Sequence, residues 1–185
     1  MSAGGYKIRD QGGIHFITFA VVDWVDVFTK KQYRTMLIES LKYCQQYKGL
    51  QIYGWCIMSN HVHLIIAAAD QNLSHLLGDF KKFTSNKIIQ AIQANPLERR
   101  KTWMLDIFKK HGDSNSRNSH YQFWRQDNHP KLLFTSLLTQ QKLQYIHQNP
   151  VAAGIVRHAE DYLYSSARDY YEGEHIGLLE IQFLS

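Results

Sequence analysis

The chain has 185 residues, 44% hydrophobic and 13% aromatic, enough to bury one sizeable core, and no shift of composition marks a second domain. Lysine and arginine outnumber aspartate and glutamate 21 to 16, a formal charge of +5, which is compatible with a polyanionic partner but does not establish one. Cys44 and Cys56, the only cysteines, form no CxxC pair, so neither a disulfide framework nor a cysteine zinc site is indicated. No apolar run approaches the roughly 20 residues of a bilayer crossing, and the opening MSAGGYKIRDQGG has no apolar signal core. The expectation is a soluble, cytoplasmic protein without a membrane partner.

After Gly12 and Gly13, residues 14–22 are rich in β-branched and aromatic side chains and predict a strand. Residues 29–48 predict a helix with Tyr33, Met36, Leu37, Leu41 and Cys44 on its buried face and Gly49 as its stop. Two apolar runs, 50–58 and 61–69, are separated only by Ser59 and Asn60, the length of a tight hairpin, and should pair antiparallel. Asn72 is a candidate cap for a helix whose buried stripe is Leu73, Leu76, Leu77, Phe80, Ile88 and Ala91, while Lys81, Lys82 and Lys87 fall away from it. Asn95 and Pro96 stop that helix.

Residues 97–118 are polar and predict a short helix, then a mobile loop through HGDSNSRNS. Residues 121–125 are the candidate fourth strand, and 136–149 another helix. The order strand, helix, strand, strand, helix, strand is that of an α+β, ferredoxin-like antiparallel sheet with helices packed on one face. We expect one domain over 1–185, with its core at 13–157 and a helical or irregular C-terminal extension over 158–185.

Two constellations carry chemistry. In a strand, residues i and i+2 share a face, so His61 and His63 present two imidazoles side by side while Val62 points the other way. Such a pair is half a metal site, and by itself is more often merely hydrogen-bonded. In LQYIHQNPV, Tyr145 and Asn149 stand at i and i+4 on one helical face, with Leu143 and Ile146 toward the core, and Pro150 should end the helix at Asn149. A lone helical tyrosine is more often a packing residue. His147 reads as a surface or hydrogen-bonding residue, and Lys142 is close to Tyr145 in sequence but off its line. Tyr162, Tyr164, Tyr170 and Tyr171 lack an amide four residues later and read as packing residues.

The segments MSNHVHLII, LLGDFKKFTSNKI, FWRQDNHP, YIHQNPVAAGIV and DYLYSSARDYY together resemble REP-associated tyrosine transposases, of the single-tyrosine HUH type, from about residue 14 to 171. The resemblance implies that His61 and His63 bind a metal, that Tyr145 is the nucleophile and that Asn149 is the third ligand. It implies a Mg²⁺ or Mn²⁺ ion and single-stranded DNA carrying a hairpin as substrate, in a bacterial, nucleoid-associated setting. The implied reaction is cleavage and rejoining through a 5′-phosphotyrosine. Related insertion-sequence transposases carry glutamine four residues after the tyrosine; asparagine before proline favours the REP-associated branch. Lys81, Lys82, Lys87, Arg99, Arg100, Lys101 and Arg125 are candidates for phosphate contacts, and Trp103, Tyr121 or Trp124 for base stacking. Competing readings are a rolling-circle-type HUH nickase or relaxase, a host-retained DNA-hairpin-binding protein, and a histidine-based metal hydrolase. Monomer and homodimer are both open.

Overall fold

The strand that carries the two histidines is also central to the sheet. In this computed structural model, which describes residues 8–115 and 120–184, β2 (Leu50–Ile57) and β3 (His61–Ala68) pair antiparallel around Ser59 and Asn60. β3 pairs on its other side with β1 (His15–Ala20), and β1 with the two-residue β4 (Lys131–Leu132), giving the order β2-β3-β1-β4. A strand flanked on both sides and covered on both faces reads as a continuous apolar run, as HVHLIIAA does beyond its histidines.

The fourth strand is therefore at 131–132 and not at 121–125. Residues 121–125 reach the sheet through a single bridge, Val21 to Trp124, with Val22 N donating to Phe123 O and Arg125 N to Ala20 O. Phe123 and Trp124 are consecutive and both buried, packed on each other and on Phe28. Their aromatic content signals core packing here rather than ladder pairing.

Residues paired across the strands share a face, and the register separates two sets. Phe16, Thr18, Ala20, Gly54, Cys56, His61, His63 and Ile65 lie on one face; Ile17, Phe19, Trp55, Val62 and Leu64 lie on the other. On the second face Phe19 stacks on Phe80 of α2 (Leu73–Ala94), with α1 (Lys31–Tyr47) beside it. Tyr33, Leu37, Leu41 and Cys44 are buried and Met36 half-buried, and α1 hands over to β2 through Gly49 at φ +66°, a conformation open to glycine.

Asn72 precedes α2 but forms no side-chain cap. Gln11 does that work from the N-terminal arm: its Oε1 accepts from Ser74 N at 2.8 Å. The Ala94 end, before Asn95 and Pro96, is as the sequence predicts. α3 (Lys101–Asp113) follows; of the loop expected over 111–119, residues 116–119 lie outside the described residues.

α4 (Ser136–Ala152) starts at Thr135, whose hydroxyl accepts from Leu138 N at 3.2 Å, and runs past Asn149 with Pro150 inside it. The expected stop at Asn149 is wrong. Proline removes one N–H donor and disfavours helical geometry before it, yet Ala153 N to Asn149 O and Ile155 N to Pro150 O close the last turn around it.

The chain beyond α4, including α5 (Ala167–Glu172), runs along the outer edge of β2. Ile57 N donates to Tyr164 O, Ser166 N to Trp55 O and Gln182 N to Ile52 O, so this edge is paired rather than open. Tyr162 and Tyr170 donate their hydroxyls to Ile57 O and Tyr53 O. Tyr162 and Tyr164 are the packing residues the sequence suggests; Tyr171 is instead 69% exposed.

Candidate active site

Positions 61 and 63 both face the side of the sheet opposite α2. Their Nε2 atoms converge to 3.0 Å, and each ring is held from behind: His61 Nδ1 to Asn60 Oδ1 at 2.6 Å, His63 Nδ1 to Thr18 Oγ1 at 2.8 Å. An amide oxygen only accepts, so His61 carries its proton on Nδ1 and presents a lone pair at Nε2. A hydroxyl can donate or accept, so His63 presents either an Nε2–H toward His61 or a second lone pair. Burial pushes the His61 pKa down to about 4. Burial foremost, then His61 and Lys142, pushes His63 down to about 3. Both rings are therefore neutral at pH 7, the form that ligates metals.

Tyr145 arrives from α4 in the same chain. Its ring centre lies 5.4 Å from that of His63, edge to face, and 6.0 Å from Phe16, which stacks on His63 at 5.5 Å. The ring is 48% exposed, open to a large substrate. Lys142, one turn earlier, places its ammonium 5.1 Å from the Tyr145 ring centre and 4.7 Å from that of Phe16.

What allows α4 this close is Gly54. A Cβ there would lie 2.6 Å from Leu143 Cδ1 and 3.1 Å from Ile146 Cδ1. The slip in register between Ile52 and Gly54 brings the glycine opposite Ile65, on the histidine face. His147 is a buried tie rather than a surface residue: its Nε2 bonds Ser166 Oγ at 2.8 Å, and Ser166 Oγ accepts from Trp55 N, so α4, β2 and the tail meet at one hydroxyl. Burial lowers its pKa to about 4.

A sequence profile of the family described as "Transposase IS200 like" matches residues 13–114, more than half the chain and both histidines. The chain belongs to the IS200-like transposase family. The matched segment ends before α4, so Tyr145 and Asn149 lie beyond it. Among solved structures, a REP-associated tyrosine transposase bound to a REP hairpin is similar in fold, with a TM-score of 0.64 at 18% identity, covering 100% of this chain and 94% of that one. No curated protein sequence matches the chain.

For an IS200-like transposase the donor set fits a divalent ion. Two ligands at right angles with bonds of about 2.1 Å stand about 3.0 Å apart, which is the Nε2 separation observed. Among the described residues no cluster of three His, Cys, Asp or Glu side chains exists, so a further protein ligand must be of another type. Asn149 sits one turn after Tyr145, its Nδ2 donating to Tyr145 O at 2.9 Å, so its amide oxygen takes no part in that bond. The structure thus brings His61, His63 and Tyr145 together, while no hydrogen bond joins Asn149 to either histidine among the described residues.

The expected DNA-binding residues of this transposase divide sharply. Trp124 is 4% exposed, and its indole N–H donates to Thr84, so it is a core residue and unavailable for stacking. Lys81 does not fall away from the body of the protein: its ammonium donates to Arg125 O and Asn128 Oδ1, both at 2.7 Å, and burial lowers its pKa to about 8. Arg100 is bound to Asp26, Glu98 and Thr29, Lys101 to Gln93 O, and Lys87 to Glu39. Lys82, Arg99 and Trp103 are exposed.

Three contributors escaped the sequence reading. Thr18 and Asn60 orient the histidines, and Trp24 packs edge to face on His61 at 5.7 Å. Thr18 is legible only through the register of β1 on β3; Asn60 had only its turn position to mark it.

Proposed function

We propose that this chain is a REP-associated type of IS200-like transposase that cleaves and rejoins single-stranded DNA flanked by a hairpin, with Tyr145 as nucleophile. The observation that carries the reading is the approach of Tyr145 to His63 within one chain, ring centres 5.4 Å apart, beside two converging Nε2 atoms. The hairpin in the similar solved structure supports the choice of substrate. So does Asn149 before Pro150, the feature that favours this branch.

His61 and His63, with the amide oxygen of Asn149, would hold Mg²⁺ or Mn²⁺. When bound, such an ion polarises the scissile phosphate and offsets charge that develops in the transition state. Tyr145 Oη attacks phosphorus; the Oη–P bond forms and the bond to the 3′ oxygen breaks. The phenolic proton passes to solvent, and the departing 3′ oxygen takes one up. A 5′-phosphotyrosine and a free 3′-hydroxyl result, and attack by another 3′-hydroxyl reverses the step on a new strand. Residues 1–185 act here as one domain with its core over 13–157, in the cytoplasm and at the nucleoid.

Incubation with hairpin-bearing single-stranded DNA and Mn²⁺ should yield a covalent protein–DNA adduct that survives denaturation. Tyr145→Phe should reduce it at least about a thousandfold while Mn²⁺ binding persists. An adduct that survives the substitution, or hydrolysis without any adduct, would overturn the reading.

A further inference from the structure

Trp24 is a large aromatic, 50% exposed, in a place where the backbone resists having one. It ends a short 3-10 turn, Val22–Trp24, in which Asp23 has φ 49° and Trp24 φ 55°. Two successive non-glycine residues in the left-handed region are disfavoured and persist only where the surroundings over-determine them. The surroundings do so: Asn60 Nδ2 donates to Trp24 O at 3.2 Å, Trp24 N to Val21 O, and Asp23 Oδ1 pairs with His111 Nε2 at 2.8 Å. Asn60 is also the residue that orients His61, so one side chain anchors both the Trp24 backbone and the imidazole.

The indole therefore stands edge to face against His61, and the residue is held through its backbone N–H and carbonyl. The Arg125 guanidinium carbon lies 5.4 Å from the same ring centre. Trp24 and Arg125 border a 550 Å³ cleft whose walls include Asp23, His111, Gln122 and Gln126. Gln122 is tied to Asn115 and to Trp124 O, which leaves an exposed tryptophan, a neighbouring guanidinium and the Gln126 carboxamide at a polar cleft, groups that stack on an unpaired base and meet its hydrogen-bonding edge. A base inside a duplex offers no free face to an indole.

We propose that this cleft is a subsite for one unpaired nucleobase, stacked on Trp24 and approached by Arg125, in the nucleotide adjoining the phosphate that undergoes transfer at His61, His63 and Tyr145. The inference rests on the DNA strand-transfer reading for its position beside the reacting phosphate. Its physical content, a base-stacking tryptophan, is measurable without cleavage.

The protein has four tryptophans. Trp55 and Trp124 are buried, so an oligonucleotide can stack only on Trp24 or Trp103. A mixed-sequence single-stranded oligonucleotide should quench the fluorescence of wild type and Trp103→Phe but quench little in Trp24→Phe; the same oligonucleotide annealed to its complement should quench none of them by stacking. Trp24→Ala should weaken single-strand binding about tenfold, and Trp24→Phe should restore most of it. Circular dichroism and Mn²⁺ titration of each variant should match wild type.

Undiminished quenching in Trp24→Phe, or unchanged affinity in Trp24→Ala, would overturn the proposal. Loss of Mn²⁺ binding in a folded Trp24→Ala would also overturn it, by making the indole a support for His61. If wild type forms no covalent adduct yet quenching still depends on Trp24, strand transfer fails and the base subsite stands. If the adduct forms and quenching does not depend on Trp24, strand transfer stands and the base subsite fails.

Discussion

His63 has a bonding partner at each ring nitrogen, and the hydroxyl of Thr18 lets it exchange one tautomer for the other. Without a cation, Thr18 can donate to Nδ1 while Nε2–H bridges to His61; with one, Thr18 can accept from Nδ1–H and both Nε2 lone pairs face the ion. Thr18→Val keeps the shape and removes the acceptor. Mn²⁺ affinity should then fall about 10- to 100-fold, read by calorimetry, with little change in fold. Equal affinity in the variant would make the hydroxyl incidental. Asn60 has the same place behind His61 and a second bond to Trp24 O, so its loss should disturb two groups at once.

At the level of elements, α4 is located by what is missing from β2. Leu143 and Ile146 fill the space a side chain at 54 would need, and His147 closes the contact through Ser166. Gly54→Val should push α4 off the sheet and carry Tyr145 away from His63. A displacement of about 1 Å suffices for a loss near a hundredfold, so adduct formation should fall by about that factor while Mn²⁺ binding on β3 persists. Stability should fall by about 1–3 kcal/mol, measured by urea unfolding. A variant with unchanged adduct formation would show that α4 is not set by this contact. Pro150 does not end the helix because the last turn closes around it, through Asn149 O and Pro150 O.

For the whole molecule, Tyr145 and His63 meet inside one chain. Mixing inactive His63→Ala and Tyr145→Phe proteins should therefore restore no adduct, whereas recovery on mixing would mean a site shared between subunits. The two buried imidazoles of His63 and His147 and the half-buried one of His61 also set an acid limit on the fold. His61, His63 and His147 have pKa values of about 4, 3 and 4 against an unfolded value of 6.5. Between the folded and unfolded values the unfolded chain binds the extra protons, so their contribution is complete above pH 6.5 and drains as pH falls toward 4. For His147 alone the loss is on the order of 3 kcal/mol. Urea midpoints measured in a chelator should fall over that window, less steeply in His147→Gln; a flat profile in wild type would contradict the burial of these rings.

Period and spacing in the sequence were enough for the hairpin, the two helices on one sheet face and the shared face of His61 and His63, because these follow from local alternation and from a turn of two residues. The resemblance in YIHQNPV singled out Tyr145. Tertiary structure alone decided that the tyrosine meets the histidines in one chain, that β4 lies at 131–132, that Trp124 is core and Trp24 exposed, and that Lys81 and Arg100 are already bound. Local pattern reports whether a side chain suits a face. Which partner occupies that face depends on strand register and helix approach over long separations in the chain, and these are set by packing around positions such as Gly54 and Ser166.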